Sequence, residues 1–367
     1  MSLVTPAYVG GESVVGFARE GTWGDAEVSV AAHPNKAFGS VAHPAKFAAL
    51  KEETFDVAKN ADPQLDDMIG DREVARIIEN GNTIEGGLRG NVGPEFIGYL
   101  FTMLFGTPDT TMLVDSSGTL DAAFQHVWYP GYNTRANWPA SYSFESRLSS
   151  VKSKLITGAL LRRLAIDLAN NAPVVITPDF IAMAMQILQG AGTSGTLDDA
   201  GDTLPCILTA NPTLIDETPW HWQHLVAYPE IDDLPQQSVM ALNFEFAFPD
   251  MRGLFTGGGG LNIGTWAADK FQLSGRATIL FEDETIFYKI KNGSYMKIEA
   301  TLEGATIQGA NKYSLAIAAY SAKSSNPGVA NRVGDLQYEI PFTCREDPTE
   351  GKSCQITLVN SVSSYAA

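Results

Sequence analysis

Leu242-Asn243-Phe244-Glu245-Phe246-Ala247-Phe248 is the stretch that decides the fold class. A leucine and three phenylalanines take every second position, with Asn243, Glu245 and Ala247 between them. Successive side chains of a strand point to opposite faces, so this period of two puts the large apolar groups on one face and the polar ones on the other. A helix would scatter the same residues around its circumference and bury none of them together.

The same alternation recurs in both directions along the chain. Toward the C-terminus it runs through Leu273, Ala277, Ile279 and Phe281, through Tyr313, Leu315 and Ile317, through Leu336, Tyr338, Ile340, Phe342 and Cys344, and through Cys354, Ile356 and Leu358. Toward the N-terminus, Leu164, Ile166 and Leu168 alternate with Arg163, Ala165 and Asp167, and Tyr142 and Phe144 lie on another strand. Asn170-Asn171 marks a turn before Val174-Val175-Ile176. Residues 180–188 place Ile181, Met183, Met185 and Ile187 on one side and read as strand, with a short helix as the alternative. Two Asn-Gly pairs read as two-residue hairpin turns: Asn80-Gly81 after Ile77-Ile78, and Asn292-Gly293 between Tyr288–Lys291 and Tyr295–Ala300. With 34 glycines and 19 prolines available for turns, the pattern predicts ten or more strands in antiparallel sheets with one buried face.

One helix stands out, over residues 94–105. Phe96, Ile97, Leu100, Phe101, Leu104 and Phe105 recur at helical spacing, Pro94 stands where a missing N–H is tolerated, and Gly106 and Pro108 supply the stop. The stripe is wide enough to predict packing on a sheet. Around this core, residues 1–50 are rich in Ala, Gly and Pro and read as an extended arm with the first strands; they contain the echo His33-Pro34 and His43-Pro44. Residues 51–75 read as a long acidic loop carrying Asp56, Asp62, Asp66, Asp67 and Asp71. Residues 76–367 read as the β core, loosened at Gly86, Gly87, Gly90 and Gly93 and interrupted by a loop-rich connection over 189–236. The whole reads as one domain.

Composition narrows the function. The chain has 367 residues, 44% of them hydrophobic, enough to bury a large core. Its net charge is −17, the wrong sign for a protein that grips DNA through phosphate. The same sign suits a surface that DNA must slide past. Cys206, Cys344 and Cys354 form neither a disulfide framework nor a CxxC pair, and fit a reducing compartment. No basic-then-apolar leader is read at Met1–Pro6, and no run of about 18 apolar residues that would span a membrane.

Motifs that carry chemistry are absent from the sequence: no GxxxxGK(S/T) phosphate loop, no GxGxxG, no GxSxG. His221 and His224 in Trp220-His221-Trp222-Gln223-His224 would point to opposite faces of a strand, so the expectation is no metal site but an aromatic stretch, with a subunit contact as one use. Asp198-Asp199 and Asp232-Asp233 lie in loop-like sequence and read as solvated carboxylates, although such pairs can cleave glycosides. Cys344 and Cys354 flank an expected hairpin loop, Arg345 to Ser353. They read as two buried thiols, with a disulfide as the alternative. The expectation is a chain with no catalytic residues, no cofactor and no metal.

Several stretches in order resemble the tail-tube (major tail) protein family of long-tailed bacteriophages. Gly16-Phe17-Ala18-Arg19-Glu20-Gly21-Thr22-Trp23-Gly24 is similar to that family's opening, and Gly81 to Gly106 to its strand–helix unit. His126 to Pro130 with Ser141 to Glu145 resembles the strand entry that follows, and Gly158 to Asp167 the central strand. Ala241 to Phe248, Gly275 to Glu282 and Tyr313 to Ala318 resemble the late strands. The resemblance implies a non-enzymatic virion protein with a sandwich- or barrel-like β core and a flanking helix. Six copies would form a ring whose inner strands join into one barrel, and rings would stack into a hollow conduit. The partners implied are further copies of the chain, a tape-measure protein, the tail terminator and baseplate proteins, and DNA passing without specific binding. Assembly would occur in the host cytoplasm. The candidate ring-to-ring contact is the acidic segment with Asp56, Asp62, Asp66, Asp67 and Asp71. Three further classes stay open on sequence: the inner tube of a contractile tail or injection device, a carbohydrate-binding or carbohydrate-cleaving β-sandwich, and a capsid decoration protein.

Overall fold

The computed structural model describes residues 13–20, 46–64, 76–114, 120–131, 140–147, 152–190, 195–197, 203–204, 215, 218–225, 229–231, 234–235, 239–254, 265–267, 270–280, 284–324, 328–332 and 335–365. In chain order these form β1 (Ser13–Arg19), β2 (Lys46–Leu50), β3 (Glu52–Glu53), β4 (Asp56–Gln64) and β5 (Arg76–Asn91), then the helix α1 (Phe96–Phe105). There follow β6 (Asp109–Val114), β7 (Leu120–Trp128), β8 (Tyr142–Arg147), β9 (Lys152–Ala169), β10 (Val175–Ala182) and β11 (Ala184–Gly190). Short strands β12 (Gly195–Leu197), β13 (Thr203–Leu204), β14 (Glu230–Ile231) and β15 (Leu234–Pro235) come next. The last part holds β16 (Val239–Ala247), β17 (Arg252–Leu254), β18 (Thr265–Ala267), β19 (Gln272–Leu280), the helix α2 (Glu284–Lys291), β20 (Met296–Gln308), β21 (Asn311–Ser324), β22 (Gly328–Arg332), β23 (Asp335–Cys344) and β24 (Cys354–Asn360).

Antiparallel pairing arranges most of these strands in three connected rows, while β3 pairs with β5 and β17 and β18 pair with each other as a separate ribbon. The central row runs β4–β5–β10–β9–β16–β19–β23–β22. One flanking row runs β2–β1–β8–β9–β11–β12–β13. The other runs β15–β14–β20–β21–β24–β7–β6. β9 belongs to two rows because it turns at Gly158, whose φ of 67° is open to glycine and strained for other residues. Its first part pairs with β8 and β11, and its last with β10 and β16. β21 makes the second junction: beyond Ser321 (φ 44°) it leaves β24 and pairs with β23.

The alternation in β16 does what its period requires. Leu242, Phe244 and Phe246 are buried, as are Leu164, Ile166 and Leu168 beside them on β9 and Leu273 and Ala277 on β19. Fully burying each leucine, isoleucine or phenylalanine of this set stabilises the fold by about 1.5–3 kcal/mol. Against this face lies α1. Every residue from Phe96 to Phe105 is buried, so the stripe read from the sequence continues around the whole helix. The three rows supply its surroundings: Phe17 of β1 packs on Phe96 and Tyr99 at 5.6 and 5.3 Å, Phe246 of β16 on Phe101 at 6.2 Å, and Trp128 of β7 on Phe101 at 5.6 Å.

Two polar clusters fasten this core. Glu20, buried where β1 ends, accepts hydrogen bonds from Ser141 Oγ (2.6 Å), Ser143 Oγ (2.5 Å) and the Gly158 amide (2.8 Å), so one carboxylate ties β1 to β8 and to the bend in β9. At the N-terminus of α1, buried Tyr365 donates to Glu95 O (3.0 Å) and receives Asn360 Nδ2 (2.5 Å). His126 lies beside them, its Nε2 2.8 Å from Val362 O and its Nδ1 2.9 Å from Thr110 Oγ1. Two carbonyl-type acceptors face Nε2, which places the proton there and leaves Nδ1 to accept from the threonine hydroxyl. Burial holds the His126 pKa below the ordinary histidine range, against the opposing hydrogen bonds to Val362 and Asn360.

Several expectations are corrected. Asn292-Gly293 is not a hairpin turn: it ends the helix α2. The amides of Gly293 and Ser294 donate back to Ile290 O and Lys289 O, the five-to-two and six-to-one bonds of a Schellman cap, with Gly293 at φ 66°. Both structures need a residue at positive φ, so the dipeptide alone could not separate them. Asn80-Gly81 is no turn either. β5 runs through it, and Asn60 and Ala61 face Gly81 and Glu79, which makes Asn80 the extra residue of a bulge. Nor do the β5 glycines loosen the chain: a Cβ on Gly86 would come within 2.3 Å of Phe55 Cα, so the bare backbone admits close packing of the preceding segment. Residues 180–188 are strand, as expected, broken at Met183. Cys344 and Cys354 do not face each other across a hairpin: β23 and β24 each pair with β21, opposite Ala322 and Ala319. Both are buried free thiols; burial pushes Cys344 up to about 12 and raises Cys354 as well.

Candidate assembly surface

The acidic segment divides in two. β3 and β4 take up residues 52–53 and 56–64 and pair with β5, so the expected loop is strand over that part. Asp56 is exposed and stands opposite Glu85, and Asp62 lies on β4 opposite Ile78. Asp66, Asp67 and Asp71 lie outside the described residues, as do Asp198-Asp199, Asp232-Asp233, Cys206 and the His33 and His43 echo. The structure therefore brings Asp56 and Asp62 onto one strand.

The central row presents two outer strands. Among the described strands, β4 pairs only with β5, and β22 only with β23. A strand left this way carries a line of backbone donors and acceptors ready for another strand. The second flanking row ends on β6, whose only described partner is β7. Its hairpin exposes Met112 (40%), Val114 (53%) and Leu120 (62%), large apolar side chains on one element.

The central row also has a polar face, opposite the one packed on α1. Asp179 of β10, Arg163 and Asp167 of β9, Asn243 and Glu245 of β16, Arg276 of β19 and Glu339 of β23 lie on it by register. A bulge between Asp179 and Phe180 adds Arg162, which reaches Asp179 at 3.0 Å and Glu85 of β5 at 3.4 Å. Arg163 Nη2 donates to Glu245 Oε2 at 2.9 Å, and its Nε lies 2.9 Å from Oε1 without the alignment of a hydrogen bond. Asn243 donates to Asp167 at 2.6 Å, and Arg276 lies 3.4 Å from Glu339. The Glu245 hydrogen bond holds the Arg163 pKa up, against burial. Burial alone would lower Arg162, but Asp179 and Glu85 together raise it. Partly exposed pairs of this kind contribute only about 0–1 kcal/mol each to stability. Their main consequence is electrostatic: Arg162, Arg163 and Arg276 each already have an anion.

These pairs join residues 17 to 82 apart in the chain, and periodicity carries no sign of such partners. The one local signal is the doubled Arg162-Arg163 in an otherwise alternating strand. The Tyr365 contact with α1 has no local signal at all. His221 and His224 serve the chain itself, as the paired caps of a short 3-10 turn at Trp222–His224: His224 Nδ1 accepts from the His221 amide at 2.9 Å, and His221 Nδ1 from the Gln223 amide at 3.4 Å. Trp220 beside them is buried rather than displayed, its amide bonded to Val92 O and its carbonyl to the Val174 amide. No group of three metal-ligating side chains occurs among the described residues, and no helix among them is long and apolar enough to cross a membrane.

No curated protein matches the chain. The sequence pattern of the family described as phage tail tube protein matches residues 10–344, which takes in every described strand from β1 to β23. With most of the chain matched and a mainly antiparallel β architecture around one central helix, this protein belongs to the phage tail tube protein family and is a structural component of a phage tail.

Proposed function

We propose that the chain is the repeating subunit of the tail tube of a long-tailed phage. Six copies close into a ring, and rings stack into a hollow conduit around a tape-measure protein, between the tail terminator and the baseplate. The observation that carries this reading is the central row with an outer strand at each end. Joining β4 of one copy to β22 of the next continues the antiparallel pairing and leaves the central row without an edge once the ring closes. Such a contact is head-to-tail, so a fixed rotation per subunit closes it in the plane while stacking along the axis stays open-ended.

Stacking is assigned to the acidic segment that begins on β4, with Asp56, Asp62, Asp66, Asp67 and Asp71. Assembly takes place in the host cytoplasm, and DNA later passes the lumen without specific binding. The chain does no chemistry in this role.

Negative-stain electron microscopy of the purified chain over a concentration series tests the proposal. Six-fold rings, or hollow tubes with a regular axial repeat, are the expected result. A monodisperse monomer that stays inert on tail-initiation complexes would overturn it. Changing Asp62, Asp66, Asp67 and Asp71 to Asn is expected to leave rings that no longer stack, and unchanged tubes would remove the acidic segment from the ring-to-ring contact.

A further inference from the structure

Resting on the tail-tube reading, we propose that the polar face of the β10–β9–β16–β19–β23 stretch is the wall that passing duplex DNA meets, and that its carboxylates keep its arginines from phosphate. The opposite face is spent on α1, so of the two faces only this one is open to a polyanion. It is not simply acidic. Arg162, Arg163 and Arg276 stand on it, and a guanidinium is the side chain best suited to grip a phosphate in a two-pronged way. A ring of such groups would release counterions on every contact and hold DNA in place.

Each of the three is occupied from a neighbouring strand. Arg163 is taken by Glu245, Arg162 by Asp179 and Glu85, and Arg276 by Glu339. Arg163 Nη2 donates to one Glu245 oxygen at 2.9 Å, and the other oxygen of the same carboxylate lies 2.9 Å from its Nε. With Asp167 added, five carboxylates stand against these three guanidiniums, so a phosphate must displace an anion while facing a surplus of them. The wall is thus built to repel weakly and to bind nowhere. The clamp on Arg276 is the longest, at 3.4 Å, and its partners are the most exposed. It is therefore the first to yield at raised DNA concentration.

The test uses the full chain and a short fluorescein-labelled DNA duplex at low salt, read by anisotropy. The wild-type subunit is expected to show no saturable binding. Glu245→Gln combined with Asp179→Asn keeps the shape of both side chains, frees Arg163 and leaves Arg162 with Glu85 alone. It is expected to bind duplex about tenfold more tightly per freed arginine, the effect of one charge-assisted hydrogen bond. Affinity should fall with salt at a logarithmic slope of about −1 for each phosphate contact. Adding Arg162→Gln and Arg163→Gln to that variant should abolish the binding. A folded double variant that stays blind to DNA, or binding that survives loss of both arginines, overturns the clamp. Should the double variant fail to fold, Glu245→Gln alone carries the same expectation for Arg163. Placement is read separately in tubes. A thiol at Asn243→Cys, in a Cys206→Ser background, should react with a small maleimide and be shielded from one carried on a large dextran. Equal labelling by both puts the face on the outside and overturns the assignment. Absence of tubes would count against the tail-tube reading, whereas the anisotropy of free subunits still reads the clamp.

Discussion

Glu20→Ala is expected to be among the most damaging single substitutions in this protein. The Glu20 carboxylate is 5% exposed and accepts from two serine hydroxyls and one backbone amide at 2.5–2.8 Å. A hydrogen bond to a charged group is worth about 1.5–3 kcal/mol, so the three offset the several kcal/mol needed to bury the charge. Alanine removes the acceptor and leaves its donors. Ser141 and Ser143 can rotate, but the Gly158 amide is held by the bend in β9 and cannot. The loss should be about 3–5 kcal/mol, the range for breaking a buried charged partnership, out of a total stability of about 5–15 kcal/mol. Urea unfolding of the free subunit, followed by far-ultraviolet circular dichroism, measures it. Glu20→Gln keeps one oxygen acceptor but turns an amide toward donors, and should fall between the two. A Glu20→Ala subunit within about 1 kcal/mol of the wild type would refute the reasoning, because the network would then be dispensable to the junction of β1, β8 and β9.

The remaining expectations concern α1, its histidine neighbour and α2. Tyr365→Ala should destabilise by about 3–5 kcal/mol and speed hydrogen exchange at the first turn of α1, since the ring packs edge-on against Tyr99 and His126 at 4.8 Å each. Gly98→Ala should approach that loss from the other side, because a Cβ there would lie 2.1 Å from the Tyr365 ring. With the His126 pKa depressed in the folded state, the unfolded chain binds the extra proton first. The stability tied to neutral His126 is therefore fully present above the ordinary histidine range and is lost as pH falls through it, at up to about 1.4 kcal/mol per pH unit. Urea midpoints between pH 8 and 5 should show this slope, and His126→Gln should flatten it. Gly293→Ala should cost about 1–2 kcal/mol through the left-handed residue that caps α2, leaving β20 and β21 paired. A loss of the β20–β21 pairing in hydrogen exchange would show that the cap is not local.

Local chemistry was enough to call the class of structure. The alternation from Leu242 to Phe248 became β16, and the stripe from Phe96 to Phe105 became α1, because both periods follow from backbone geometry and need no knowledge of a partner. Charge sign and missing motifs pointed away from a nucleic-acid grip, and the order of short stretches pointed to the family that the chain belongs to. What the tertiary structure alone decided is which strands meet. Pairing set Asn80 into a bulge, made Asn292-Gly293 a helix cap, sent β23 and β24 to different parts of β21, and turned Asp56 and Asp62 from loop into strand. It also brought Glu20 to Gly158, Tyr365 to Gly98, and Glu245 to Arg163. The reason is one of range. A period or a cap is written within a few residues, whereas a register or an ion pair is settled by competition among all strands for the same edges and by the shape of the core they enclose.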